Sequence, residues 1–316
     1  MSANAATKRL MSGLFVAGVT AVVSGFSVFI NSYGVHTVAS PAVYTTAKNL
    51  VAAVVLFAAF TVARLVRGPE SSNALPNKDQ SPPRHQRLAE LLGFAYVGVI
   101  GGGLAFVLFF TGLERTTAVP AAFLHDTLVV FVALVAWPLL GERLSWFNAA
   151  AIVLLVIGAV SASGGIAGLT ANSGNGLVLL ATVLWAIETI VAKKLLRRVQ
   201  PTTVALVRMG VGAAVLVGYL AVKGELSSLG GLDASAIRWV VITGLFLGAY
   251  VGTWMTALFR ARAIDVTSVL VASAIVTLVL QSVVQHKGLG PEVLGIALMA
   301  TGTALVAGNW TRVVRA

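Results

Sequence analysis

Residues 113–144 read LERTTAVPAAFLHDTLVVFVALVAWPLLGERL. The stretch holds about 22 mostly apolar residues, which at about 1.5 Å per residue span a bilayer core of roughly 30 Å. Glu114 and Arg115 fence one end, Glu142 and Arg143 the other. Inside sit His125 and Asp126. A carboxylate without a partner in hydrocarbon costs several kcal/mol, so Asp126 implies a partner or a task. The pattern recurs in altered form near residues 258–290.

The composition around this stretch is that of a membrane protein. Of 316 residues, 58% are hydrophobic and 10% charged, whereas soluble domains are about 45–50% apolar and about 25% charged. Runs of about 20 apolar residues without alternation read as helices rather than barrel strands. The net charge of +11 is accounted for by basic cytoplasmic loops and does not call for nucleic acid. There is no Cys, so there is no thiolate metal site. The four His show no metal-ligand spacing.

Ten apolar spans are predicted, at 11–30, 41–63, 88–110, 118–140, 145–163, 176–194, 201–222, 238–259, 266–285 and 291–308. Lys8 and Arg9 precede the first in the manner of a signal peptide, but its length and the nine spans after it predict a retained helix. With the N-terminus inside, the inner segments carry 16 Lys and Arg and the outer ones 4. That asymmetry predicts cytoplasmic termini in the cell membrane. The inner segment 64–87 contains GPESSNALPNKDQSPPRHQR (68–87), a Pro/Ser/Asn-rich cytoplasmic loop.

The two halves echo each other. Pro41 and Lys48 in the second span match Pro201 and Arg208 in the seventh, each pair seven residues apart. GLAFVLFF at 103–110 matches GAYVGTWM at 248–255, an offset of 145 that Leu113 and Leu258 keep. Five spans per copy is odd, so the second copy enters the membrane upside down. The predicted fold is all-α integral membrane: ten transmembrane helices as two inverted five-helix repeats, 1–163 and 164–316. Inverted repeats characterise secondary transporters.

Residues 113–159, with a long helix, a Gly-Glu-Arg turn at 141–143 and Gly158 near the end of the next helix, resemble the fourth and fifth helices of the EamA-type drug/metabolite transporter superfamily. SPAVYTTAKNLVAAVVL (40–56), with Pro41 followed by basic Lys48, resembles that family's second helix, and WAIETIVAKKLL (185–196) its sixth. The resemblance implies a ten-helix bundle that moves small organic metabolites by alternating access, often outward. Two features depart from the family pattern. His125-Asp126-Thr127 stands where members often carry a mid-helix Pro, and the second copy has Gln285-His286-Lys287-Gly288 in place of a Gly-Glu turn.

The clearly intramembrane ionisable residues are Lys48, His125, Asp126, Glu188 and Arg208. Lys48 and Asp126 both lie roughly 10–12 Å from the outer face, and Glu188 and Arg208 roughly 8–11 Å from the inner one. Depth therefore pairs Lys48 with Asp126 and Arg208 with Glu188, either as pins between helices or as a lining of the solute pathway. Glu188 has a second option in Lys193 or the cytoplasmic face. His125 is either a proton site or an interhelical hydrogen-bonder, and, about 100° round the helix from Asp126, it cannot face the same spot. Tyr44 shares a face with Lys48, Tyr250 with Trp254, and Trp185 with Glu188 and Thr189. An aromatic beside a charge suits a solute with an apolar body and a charged end, though packing alone gives the same spacing. Trp137, Trp146, Trp239 and Trp310 lie near span ends and fit an interfacial belt. Gly98 with Gly102, and Gly244 with Gly248 and Gly252, mark faces for close helix contact.

No P-loop, nucleophile–base pair or paired-acid box is present, and no cofactor is implied. The reading is a secondary transporter in the lipid bilayer for a small amino acid-like solute, with protons as a coupling ion and export as the favoured direction. Its candidate cavity is Tyr44, Lys48, His125, Asp126, Trp185, Glu188, Arg208, Tyr250 and Trp254. The alternative is a polytopic membrane enzyme acting on a lipid-linked substrate, which would gather several carboxylates or His at one level; here the acids are split between halves.

Overall fold

A computed structural model describes residues 3–67, 84–142, 146–162, 172–285 and most of 293–305. Of the loop expected at 68–87, residues 68–83 lie outside the described residues, as do Arg143, His286 to Gly288 and Trp310, while 84–87 form the first turn of a helix. The elements are α1 (Ala3–Gly34), α2 (Pro41–Arg67), α3 (Arg84–Ala95), a π-helical turn at Tyr96–Leu104, α4 (Ala105–Glu114), α5 (Ala118–Asp126) and α6 (Leu128–Leu140). They continue with α7 (Trp146–Ala162), α8 (Ser173–Leu195), α9 (Pro201–Lys223), α10 (Ala234–Arg260), α11 (Ala263–Leu270) and α12 (Ala272–Gln285).

Eight helices among the described residues are long and apolar enough to cross a membrane, against the ten expected. The expected fifth and tenth spans correspond to shorter apolar helices, Asn148–Gly158 and Val293–Gly302. The chain is an all-helical, multi-pass membrane protein.

Local chemistry sets the helix ends. Pro41 opens α2 and Pro201 opens α9 at a position where the missing N–H costs nothing. Asp233 accepts from Ala236 N–H at 2.7 Å and starts α10. Gly141 ends α6 with φ +71°, a left-handed conformation that suits glycine. Its N–H bonds Trp137 O, and the Glu142 N–H bonds Ala136 O.

The fourth and ninth spans are broken, at Thr127 and at Val271. The Thr127 hydroxyl donates to Leu124 O at 2.6 Å, a back-bond that bends helices. α5 packs on α12 and α6 on α11, so the first half of each broken span meets the second half of the other. Each half-helix exposes N–H groups that hydrocarbon cannot satisfy. Two acids meet them. Asp126 accepts from Ser273 Oγ at 2.9 Å and Ala274 N–H at 3.2 Å in the first turn of α12. Glu142, in the turn after α6, accepts from Ala263 N–H at 3.0 Å and Ile264 N–H at 3.1 Å, capping α11. Both carboxylates sit at helix N-termini, where the macrodipole favours a negative charge.

Hydrophobic drive between helices is absent in lipid, so close packing carries the association. The π-helical turn meets α9 backbone to backbone. A Cβ on Gly102 would lie 2.0 Å from Arg208 O, and one on Gly212 2.4 Å from Gly102 O. Gly98 of the same face packs on Val211, and Gly244 of α10 packs on Val51 of α2. The predicted glycine faces are helix contacts.

Candidate functional site

A cavity of about 60 Å³ lies at the centre of the bundle. Water needs only about 10–15 Å³ of such space, so the cavity has room for a few waters and no large solute. Seven candidates line it: Lys48, His125, Trp185, Glu188, Arg208, Tyr250 and Trp254. They come from α2, α5, α8, α9 and α10. The cavity's charged residues are withdrawn from solvent, Lys48 being 1% exposed and Glu188 and Arg208 3% each.

Arg208 and Glu188 pair as their depths predict. Arg208 Nε donates to Glu188 Oε1 at 2.6 Å and Nη2 to Oε2 at 3.1 Å, a bidentate fork. The π-helical turn shapes this corner. Gly101 O accepts from Trp185 Nε1 at 2.9 Å and from Arg208 Nη2 at 3.4 Å. A Cβ on Gly101 would stand 2.3 Å from Glu188 Cδ. A π-bulge inside a helix is a recurrent mark of functional sites, because it turns backbone groups out of the ladder. Lys193 does not compete for Glu188. Its ammonium donates to Leu258 O at 2.5 Å and Ala261 O at 2.6 Å, at the end of α10.

The expected pairing of Lys48 with Asp126 is overturned. Lys48 Nζ donates to Asn31 Oδ1 at 2.8 Å and lies 3.7 Å from the Phe110 ring centroid. Asp126 is committed to Ser273 and Ala274 and does not line the cavity. Depth along the membrane normal says nothing about the direction a side chain takes around its helix, and Asp126 points to the ninth span. His125, one residue earlier, points into the cavity, as the 100° step requires. Its ring packs edge-on to Trp185 and Phe109. His125 Nδ1 has no hydrogen-bond partner among the described residues, and Asp126 Oδ1 stands 3.8 Å away.

Tyr44 is likewise behind the cavity wall. It is fully buried, with its hydroxyl 2.8 Å from Asn31 Oδ1 and 3.0 Å from Thr243 Oγ1. It holds Asn31, which in turn holds Lys48.

Sequence reasoning missed Asn31, with Ser24 and Ser27 on the same helix. A neutral amide in an apolar span was the available signal, and it is weaker than a charge. It also missed Phe106, Phe109 and Phe110, whose helical spacing puts them on one face of α4. Phe109 and Trp254 keep the 145-residue offset between halves, and both line the cavity.

A membrane-embedded helical bundle with half-helices capped by acids and a central cavity carrying a buried ion pair is the build of a membrane transporter. The EamA-like transporter family model matches residues 11–164 and again 172–308, and the chain belongs to that family. A protein described as an uncharacterized transporter from Methanothermobacter thermautotrophicus is 30% identical over 157 residues. That match covers 48% of this chain and 46% of the relative, about half the length of each. A solved structure, titled only as the crystal structure of a protein, covers 96% of this chain and 99% of its own. It superposes with a TM-score of 0.67 at 18% identity, a likeness of fold alone. Family and relative point to a transporter rather than an enzyme.

Proposed function

We propose that the protein is a secondary transporter of the cell membrane. It moves a small amino acid-like organic metabolite by alternating access, outward rather than inward. The observation that carries this reading is the central cavity, to which both family-matched segments contribute charged and aromatic side chains. Lys48, His125, Trp185, Glu188, Arg208, Tyr250 and Trp254 are the proposed solute contacts, with Tyr44 and Asp126 supporting them from behind. The repeats 1–163 and 164–316 are inverted copies in this reading. The pairing of α5 with α12 and α6 with α11 supports an antiparallel crossing of the two broken spans. Both termini face the cytoplasm, and protons couple through His125, an imidazole of the cavity wall whose Nδ1 has no hydrogen-bond partner among the described residues.

The lining residues are too buried, and the cavity too small, for a solute to enter without helix movement. Purified protein in proteoliposomes should exchange labelled solute from a pool of amino acids and related metabolites, and a pH gradient should drive net movement. Liposomes with the protein that retain every pooled solute as well as empty ones do would refute the reading. The topology has its own test, because the chain has no native Cys. A cysteine at Ser81 should be labelled by an impermeant reagent only after cells are opened.

A further inference from the structure

We infer that the solute is a monoanion, a carboxylate on a flat aromatic or similarly apolar body, seated with its charge at Lys48. The inference rests on the transporter reading and names the solute class for the same cavity.

Charge in the cavity does not balance. Two basic residues line it, Lys48 and Arg208, and one acid, Glu188. Arg208 occupies both Glu188 oxygens in a fork. Asp126, the acid that could have balanced Lys48, is spent on the N-terminus of α12. What holds Lys48 is a neutral amide oxygen and the π faces of Phe110 at 3.7 Å, Tyr44 at 5.7 Å and Phe106 at 6.0 Å. An ammonium has three donors, and Asn31 Oδ1 takes one. A buried amine without an acid partner is a binding site for an anion, because the anion's charge favours the ammonium form and low dielectric strengthens the pair.

The rest of the wall fits an apolar body. Phe106, Phe109, Phe110, Trp185, Tyr250 and Trp254 surround the space. Tyr250 and Trp254 stack with ring planes 9° apart. Phe106 bridges the two cations, 6.0 Å from Lys48 Nζ and 5.2 Å from Arg208 Cζ. An ammonium on the solute would find no uncommitted carboxylate in the cavity, which narrows the amino acid-like class to related acids that lack the amine. Entry of the anion brings the cavity to neutrality, and its ring widens the present space by displacing the aromatic side chains.

The test uses three probes that share one ring system: indole-3-acetate, tryptophan and tryptamine, which are anion, zwitterion and cation. Thermal stabilisation of the purified protein reads binding, and exchange in proteoliposomes reads transport. Indole-3-acetate should bind and exchange at least about ten-fold better than either of the others. Lys48→Met should remove that preference and Lys48→Arg should keep it. Asn31→Asp, close to isosteric, places a carboxylate on Lys48 without deleting the amine, and should weaken the anion about ten-fold or more. It serves as the independent variant if Lys48→Met does not fold. Preferred binding of tryptophan or tryptamine overturns the inference while leaving the transporter reading intact. An Asn31→Asp protein with unchanged anion affinity also overturns it. Tight, Lys48-dependent binding of the anion without exchange supports the inference and counts against the transporter reading. Failure of all three probes to bind overturns the inference.

Discussion

Replacing Arg208 by methionine leaves the Glu188 carboxylate buried without its fork. Both side chains are close to fully withdrawn from solvent, at 4% and 3% exposure. The bonds lost are a 2.6 Å and a 3.1 Å charge-assisted contact. Removing one partner of such a buried pair costs about 3–5 kcal/mol, most of it the penalty of the orphaned charge. Glu188→Gln should cost less, because Arg208 keeps Gly101 O at 3.4 Å and an amide oxygen to bond. The double variant leaves no buried charge, so it should recover about 2 kcal/mol or more over the sum of the singles. Unfolding of the purified single and double variants in one detergent, followed by tryptophan fluorescence, measures the cycle. Trp185 stands beside the pair and reports on it. Additivity within about 0.5 kcal/mol would refute the reasoning, since it would mean that the two charges do not see each other. Transport by the double variant then separates the two roles. A stable double variant that transports normally makes the pair a pin between α8 and α9, and one that is stable but inactive places it in the solute pathway.

Gly101→Ala should destabilise by about 1–3 kcal/mol, because its Cβ would overlap the Glu188 carboxyl at 2.3 Å. Gly210→Ala, which meets nothing within 4 Å on α9, should instead be neutral or gain up to about 1 kcal/mol; thermal unfolding of the two reads both signs. Asp126→Asn keeps one acceptor for Ser273 or Ala274 but removes the charge from the first turn of α12, and should cost about 1–2 kcal/mol in the same assay. A cysteine at Thr189 should become more reactive to a small maleimide when Glu142→Gln and Lys193→Met are added. Those changes release the caps of α11 and α10 at one end of the bundle, and unchanged labelling would show that the caps do not hold the cavity shut.

Much of this protein is legible without its structure. Length and hydropathy give spans, since a helix that crosses hydrocarbon must be long, apolar and internally hydrogen-bonded. Depth along the span is simple arithmetic, so Arg208 meets Glu188 where the count of residues puts them. The i, i+4 rule brings Tyr250 and Trp254 together in one stack. Direction around the helix axis is different, because it depends on which neighbours a helix has and how they turn it. Residue counting gives Lys48 and Asp126 the same depth, yet one faces Asn31 and the other the broken ninth span. The breaks themselves carry no Pro or Gly at Thr127 or Val271. An acid from the fourth span accepts from the Ser273 hydroxyl and the Ala274 N–H just past the break in the ninth, the hydroxyl contact joining residues 147 apart in the chain. Residue type and spacing along the chain set what each side chain could do and which helix carries it. Only tertiary packing decided which carboxylate became a helix cap and which cation was left facing the cavity without one.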